Sequence, residues 1–241
     1  MLYFNHNATS FPKPKSVQTA IADHLLDLPA AENRSASGSA SPLHVCRQKV
    51  ADFFHIPTDS QVIFTGSSTE SLNLAIFGID SPRHIITTVT EHNAVLRPLR
   101  HLQQNSGLRL SFAACDAQGF VAVDDIAAHI AADTTAIIVN HCSNVTGAIQ
   151  NIAAISDLAR KHGLIFIVDG SQSAGAVEID LSNTHIDAFA FAAHKNLWAM
   201  AGFGGLILSD SFRPHPLKVG GTGSNSAALL QPTTLPDYYE A

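Results

Sequence analysis

Short continuous apolar runs recur along the chain, with helical patterns between them. QVIFT (Gln61–Thr65), HIITT (His84–Thr88), LRLSFAA (108–114), TAIIV (Thr135–Val139), LIFIV (Leu164–Val168), DAFAF (Asp187–Phe191) and GGLILS (Gly204–Ser209) read as seven strands. Most are apolar throughout rather than alternating, the pattern of strands covered on both faces. Apolar residues at helical spacing predict helices over about 69–77, AVLRPLRHLQQ (94–104), VDDIAAHIA (123–131) and NIAAISDLARKHG (Asn151–Gly163). Gly163 is a stop signal. Pro98 is expected in the early turns of its helix, where a missing N–H matters least. Strands alternating with helices predict an α/β fold of three αβα layers, with a seven-stranded, mostly parallel sheet and right-handed crossovers. No clear helix separates the last two strands, so the last is expected to run antiparallel.

The flanks lose this periodicity. AAENRSASGSASP (Ala30–Pro42) is small and polar and reads as a mobile loop. The stretch after Ser211, with Pro214, Pro216, Pro232 and Pro236, reads as a linker. The expected organisation is an N-terminal segment over 1–40, a large α/β domain over 41–210 and a tail over 211–241. No internal repeat is evident.

Composition narrows the function classes. Among 241 residues, 46% are hydrophobic and 14% charged, which supports a sizeable core. A formal net charge of -6, with no basic cluster, argues against nucleic-acid binding. Cys46, Cys115 and Cys142 are too sparse for a disulfide framework or a zinc site. The 13 histidines are dispersed and form no metal motif, so no metal is expected. The N-terminus has no signal-peptide pattern and no apolar run reaches membrane-spanning length. A soluble, cytoplasmic setting without a membrane partner is the expectation.

In open parallel sheets, ligands sit beyond the carboxyl ends of the strands. After QVIFT comes GSSTES, a glycine and hydroxyl-rich helix start that can cradle an anion, with Ser68 and Thr69 as the contacts. Taken alone, the motif reads better as a plain helix cap. After HIITT come Glu91 and His92, and after TAIIV comes Asn144 in NHCSNVTG. Asp169 ends the very apolar LIFIV strand, with Gln172 three residues on, and His194 and Lys195 follow DAFAF. A carboxylate and an amine at the ends of apolar strands are costly unless they are used. A cofactor with a phosphate, a protonatable ring nitrogen and an aldehyde satisfies the whole set. Pyridoxal 5'-phosphate has all three: Lys195 would form its Schiff base and Asp169 would hold its ring proton.

The stretches FTGSSTESLN, TEHNAVLRPL, HCSNVTGAI, VDGSQSAGAVEID, FAFAAHKNLWAMAGFGGL and GGTGSNS resemble, in order and spacing, the cysteine desulfurase branch of the class V aminotransferases. These are fold-type-I pyridoxal-phosphate enzymes. The resemblance runs from Tyr3 to Glu240. It implies that His92 stacks on the cofactor ring and that Asn144 lies near the substrate and the ring oxygen. It implies that Asp169 pairs with the ring nitrogen, Gln172 with the ring hydroxyl, and His194, Ser68 and Thr69 with the phosphate. Lys195 is then the imine lysine, and Thr222 reaches the phosphate of a neighbouring subunit in a homodimer. The implied activity removes sulfur from L-cysteine, giving alanine and an enzyme-bound persulfide, with a sulfur-acceptor protein as a possible partner.

Three local departures stand out. NHNAT replaces a DNAAT-like opening, Ala192 replaces a serine two residues before His194, and Ala199-Met200 replaces a Gly-Pro. The resemblance also implies a small C-terminal domain carrying the substrate-carboxylate arginine and the persulfide cysteine. The sequence stops at DYYEA, so the expectation is the large domain without the small one. Transamination, a selenocysteine or cysteine lyase reaction, and an inactive cofactor-binding fragment stay open as alternatives. A generic doubly wound phosphate binder ranks last, because it leaves Asp169 and Lys195 without a use.

Overall fold

The structure, a computed structural model, describes residues 2–26, 42–221 and 229–241. The polar stretch expected as a mobile loop lies, apart from Pro42, outside the described residues, as does Thr222. The elements run α1 (Lys15–Leu26), α2 (Pro42–Phe53), β1 (Val62–Thr65), α3 (Ser68–Phe77), β2 (His84–Thr88), α4 (Asn93–Ser106), β3 (Arg109–Ala113), α5 (Val123–Ala128), β4 (Thr134–Asn140), α6 (Ile152–His162), β5 (Ile165–Asp169), β6 (Ala188–Ala192) and β7 (Gly204–Leu208). All seven expected strands form, each within a residue or two of its apolar run. The helices α1 and α2 carry weaker apolar patterns and were not expected. No α1 residue is buried, and α2 buries only Arg47 and Ala51.

The sheet order is β1-β7-β6-β5-β4-β2-β3. Strands β2 to β6 pair in parallel, while β7 lies antiparallel to both β6 and β1. The antiparallel last strand is thus as expected. Its consequence is geometric. Gly204, the first residue of β7, sits opposite both Thr65 and Ala192, the last residues of β1 and β6. The turns that leave β1 and β6 therefore meet at one edge of the sheet.

Both faces of the sheet are covered. Along β6, Phe189 and Phe191 point into one core layer with Phe54, Ile126 and Ile155 from the side of α2, α5 and α6. Ala188 and Ala190 point into the other layer with Leu72, Ile76, Val95 and Leu99 of α3 and α4. Alanine on that face lets α3 pack close to the strands. The two sides of β6 thus assign the two helical layers from side-chain size alone. Phe212 and Tyr239, from the stretch expected as a linker, are buried in the α3–α4 layer, and the Tyr239 hydroxyl donates to Pro214 O at 2.9 Å. Glu240 accepts two hydrogen bonds from the Arg47 guanidinium, both at 2.8 Å.

Helix ends follow local chemistry. Asn151 caps α6 by accepting from Ala154 N, and Gly163 ends it in the left-handed region, as the stop signal predicted. Pro98 lies a full turn past the start of α4, beyond the positions that lack an intrahelical acceptor, so its ring leaves a gap in the ladder. It does lie in the early turns, as expected, but a start at either Asn93 or Ala94 leaves it past the free N–H positions.

Gly204 holds the β7 edge against the turn after β1. A Cβ there would meet the Ser67 carbonyl carbon at 2.6 Å and Ser68 N at 2.7 Å. Both are backbone atoms and cannot swing away. Gly204→Ala is expected to lower stability by about 1–3 kcal/mol through overpacking, read as a lower urea midpoint with an unchanged m-value.

Candidate active site

The turn from β1 into α3 is braced from both sides. Ser67 caps α3, its hydroxyl accepting from Glu70 N at 3.2 Å, and Glu70 Oε2 accepts from Gly66 N at 2.8 Å. Lys218 pairs with Glu70 and, as the largest influence, draws its carboxyl below the ordinary range. The Thr65 hydroxyl adds a bond to Ser67 O at 3.0 Å. This bracing leaves the side-chain hydroxyls of Ser68 and Thr69 without a hydrogen bond among the described residues, at the positive end of α3. Both residues expected to contact a phosphate thus start α3 and line the cavity. The cap itself is Ser67.

At the end of β6 the chain enters a tight turn. Lys195 N contacts Ala192 O at 3.4 Å, Trp198 N donates to Lys195 O at 3.1 Å, and Ala199 N donates to Ala193 O at 2.9 Å. Trp198 adopts φ 63, unusual for a bulky residue. The half-buried Lys195 amine makes no ion pair among the described residues. Burial lowers its pKa, and the charge of Asp169 opposes the shift. His194 is also held below its ordinary range, first by burial and then by Lys195 and Lys13.

Asp169 ends β5 and is buried. Its Oδ1 accepts from Ser171 N at 2.9 Å and from the Ser171 hydroxyl. Its Oδ2 has no hydrogen-bond partner among the described residues. Behind it lies Glu91, whose Oε1 accepts from Thr88 Oγ1 at 2.7 Å and from Asn140 N at 2.9 Å, while Oε2 has no partner. Burial, reinforced by the Asp169 charge, pushes Glu91 up to about 8 against the pull of those two bonds. Glu91 is therefore neutral at pH 7. Asp169 is then the one carboxylate among the described residues lining the cavity.

That cavity has a volume of about 360 Å³. Ser68, Thr69, His92, Asn144, Asp169, Gln172, His194 and Lys195 all line it. Of the expected site residues, only Thr222 is outside the described residues. His92 caps α4, its Nδ1 accepting from Ala94 N at 3.1 Å, which places the proton of the neutral ring on Nε2. The Asn144 side chain makes no hydrogen bond among the described residues, whereas its backbone oxygen accepts from Asn7 Nδ2 at 3.3 Å. Gln172 spends one amide hydrogen on Asn7 O at 2.9 Å, keeping the other hydrogen and its oxygen for a ligand. Cys142 lines the cavity too, but burial raises its thiol pKa, so it rests as a thiol.

Sequence reasoning missed three groups. Ser171 ties one Asp169 oxygen, a role its place in DGSQS could have signalled as an Asx-type turn. Glu91 was noted but not recognised as a neutral buried acid, which only burial reveals. Asn7 and Ala8 line the cavity although far away in sequence, and no local signal could have placed them there.

The class-V aminotransferase family profile matches residues 2–241, and the chain belongs to that family. Among curated relatives, the cysteine desulfurase IscS of Photorhabdus laumondii is 32% identical over 218 residues, covering 86% of this chain and 53% of that protein. The IscS of Buchnera aphidicola is 37% identical over 195 residues, covering 78% and 47%. Among solved structures, the cysteine desulfurase of Thermococcus onnurineus aligns with a TM-score of 0.88 at 31% identity, covering all of this chain and 62% of that one. CsdA of Escherichia coli, also a cysteine desulfurase, aligns at 0.86 with 27% identity, covering 98% and 62%. The chain spans about half the length of the curated relatives it matches.

Enzymes of this family use pyridoxal phosphate, and the residues fit that group. A carboxylate oxygen that lines the cavity without a partner among the described residues suits a ring N–H, free hydroxyls at a helix N-terminus suit a phosphate, and an amine without an ion pair suits an aldehyde.

Glu91 yields a pH signature. A carboxyl whose pKa is raised on folding binds its proton more tightly in the folded state than in the unfolded one. Its contribution is present below its unfolded value of about 4.3 and is lost as pH rises through about 8. Glu91→Gln keeps an acceptor at Oε1 and removes the titration. The wild-type decline in urea stability across that window, at most about 1.4 kcal/mol per pH unit from this group, is expected to flatten in the variant.

Proposed function

We propose that the chain carries the cofactor-binding part of a pyridoxal-phosphate enzyme of cysteine-desulfurase type, acting on L-cysteine. The observation that carries this reading is the pairing, in one cavity, of the unpartnered Asp169 Oδ2 with the unpaired Lys195 amine. When bound, pyridoxal phosphate supplies an electron sink for the bonds of a substrate's α-carbon.

The chain's own residues then have separable tasks. Ser68, Thr69 and the first N–H groups of α3 hold the phosphate, with His194 beside them. Asp169 keeps a proton on the ring nitrogen, and Ser171 fixes the carboxylate plane. His92, oriented by its cap bond, presents a flat face to the ring. Asn144 and Gln172 supply amide groups toward the ring oxygen and the substrate. The Lys195 amine is partly desolvated and less basic than usual, which favours its use as a nucleophile. With the cofactor and a substrate bound, that amine would hold and move a proton at the substrate α-carbon.

Three further assignments belong to the same proposal. They are a homodimer, Thr222 acting on the neighbouring subunit's phosphate, and transfer of sulfur to an acceptor protein. Exposed apolar side chains near the turn after β6 and the loop of Asn144 support association: Met200 is 54% exposed and Val145 84%. The bound cysteine of the SspA structure, which aligns with a TM-score of 0.78 at 26% identity, supports the substrate class.

The test is an absorbance spectrum of the full chain with added pyridoxal phosphate, followed by borohydride reduction and peptide mapping. A visible band and a stable adduct on Lys195 are expected, and both are lost in Lys195→Ala. Asp169→Asn is expected to keep the adduct but to cut any L-cysteine turnover by at least about 100-fold. Label scattered over surface lysines would sink the assignment.

A further inference from the structure

The carbonyl oxygen of His194, which begins the peptide bond into Lys195, is gripped by a segment far away in sequence. Ser10 N lies 3.1 Å from it, Thr9 Oγ1 3.1 Å, Ser10 Oγ 2.9 Å and Lys13 Nζ 3.0 Å. Lys13 also donates to Ser10 Oγ at 2.7 Å, which leaves the Ser10 hydroxyl proton for the carbonyl. A carbonyl oxygen offers two lone pairs, so this crowding draws strong negative polarisation onto one atom, with a charged donor among its partners. Ser10 is buried and Lys13 half-buried. Lys13 makes no ion pair among the described residues, so its charge is directed at this carbonyl rather than at a carboxylate.

The same segment touches the turn and the cavity elsewhere. His6 lies edge-on to Trp198, the residue at φ 63, with ring centroids 6.1 Å apart, and Tyr3 packs on both His6 and Phe11. Asn7 bonds to the Asn144 loop and receives Gln172. The Thr9 hydroxyl also lies 3.1 Å from His194 Nδ1. Residues 3–13 thus bridge the turn on both sides of Lys195 and two loops that line the cavity.

We propose that Lys13 is a positioning residue for Lys195: its ammonium, with Ser10, pins the His194 carbonyl and so fixes where the lysine side chain leaves the backbone. Lys13 touches no reacting atom in this arrangement. It acts through the peptide unit, whose own N–H makes only the long 3.4 Å contact to Ala192 O, so the bonds to the carbonyl are what hold that peptide against rotation. The Thr9 hydroxyl adds a bond to the His194 ring, so backbone and ring are held from one side.

This inference rests on Lys195 being the cofactor lysine, and the experiment separates the two. Full-length chain, wild type, Lys13→Met, Lys13→Arg and Ser10→Ala, is mixed with pyridoxal phosphate. In parallel it is mixed with pyridoxal, which lacks the phosphate. The rate of adduct formation at Lys195 is read by the visible band and by borohydride trapping, and melting temperatures are recorded alongside. Absence of a Lys195 adduct in wild type defeats the proposed function itself. With wild type labelled, Lys13→Met is expected to slow capture about tenfold, the scale of one hydrogen bond to a charged group. The slowing should appear with both aldehydes at an unchanged melting temperature, with Lys13→Arg restoring most of the rate. Wild-type capture by Lys13→Met, or no rescue by arginine, overturns the inference. A slowing confined to pyridoxal phosphate also overturns it, since that is the mark of a charge acting on the phosphate. If Lys13→Met does not fold, Ser10→Ala is read in the same way: a rate about threefold lower supports the clasp, and a wild-type rate overturns it.

Discussion

A carboxylate at the end of an apolar strand, with one oxygen that has no hydrogen-bond partner among the described residues and lines the cavity, is the constraint around which the site is arranged. Asp169 places a charge where the sheet is dry, and only one of its oxygens is satisfied from within, by Ser171. The neighbouring acid, Glu91, responds to the same dry environment in the opposite way and keeps its proton. Burial is the main reason that Glu91 holds its proton, and the Asp169 charge adds to it. Asp169 and the Lys195 amine line the same cavity, and the Asp169 charge favours the protonated amine against the effect of burial. A ligand with a cationic ring nitrogen and an electrophilic carbon relieves both groups at once.

The sheet topology makes that arrangement possible. With β7 inserted antiparallel between β1 and β6, the phosphate-type turn after β1 and the lysine turn after β6 are brought against the same glycine. Parallel strands β2, β4 and β5 then deliver His92, Asn144 and Asp169 to the same edge. The alternation of Phe and Ala in β6 supports this from below. Phenylalanine fills the layer away from α3, while alanine lets α3 approach and aim its N-terminus at the edge.

The local departures from the family pattern have distinct structural consequences. Ala192 is fully buried at the end of β6, paired with Gly204, so the position is packed rather than open. Ala199 packs against the core, while Met200 is turned outward. The lysine turn remains closed by its own backbone bonds, with Trp198 taking up the backbone strain. Across the bottom of that turn, the N-terminal segment supplies an external brace.

Much of this was legible in the sequence, because the information was local. Continuous apolar runs specify doubly covered strands, a glycine after a helical pattern specifies its end, and a charge ending an apolar run marks a position that needs a use. The seven strands and the antiparallel last one follow from such signals. Ser68, Thr69, His92, Asn144, Asp169, Gln172, His194 and Lys195 are each ambiguous alone and become a set through their shared place after strand ends and the family resemblance, and the structure brings all of them to one cavity. What only the tertiary structure decided involves partners distant in sequence. Asn7 lies against Gln172, Thr9 to Lys13 grip the His194 carbonyl, Tyr239 enters the core beside α3, and Glu91 stays neutral. Neither burial nor a hydrogen bond between remote segments leaves a period or a spacing in the chain. Both arise from the packing of whole elements, which sets the local dielectric and brings donors to acceptors that the sequence keeps apart.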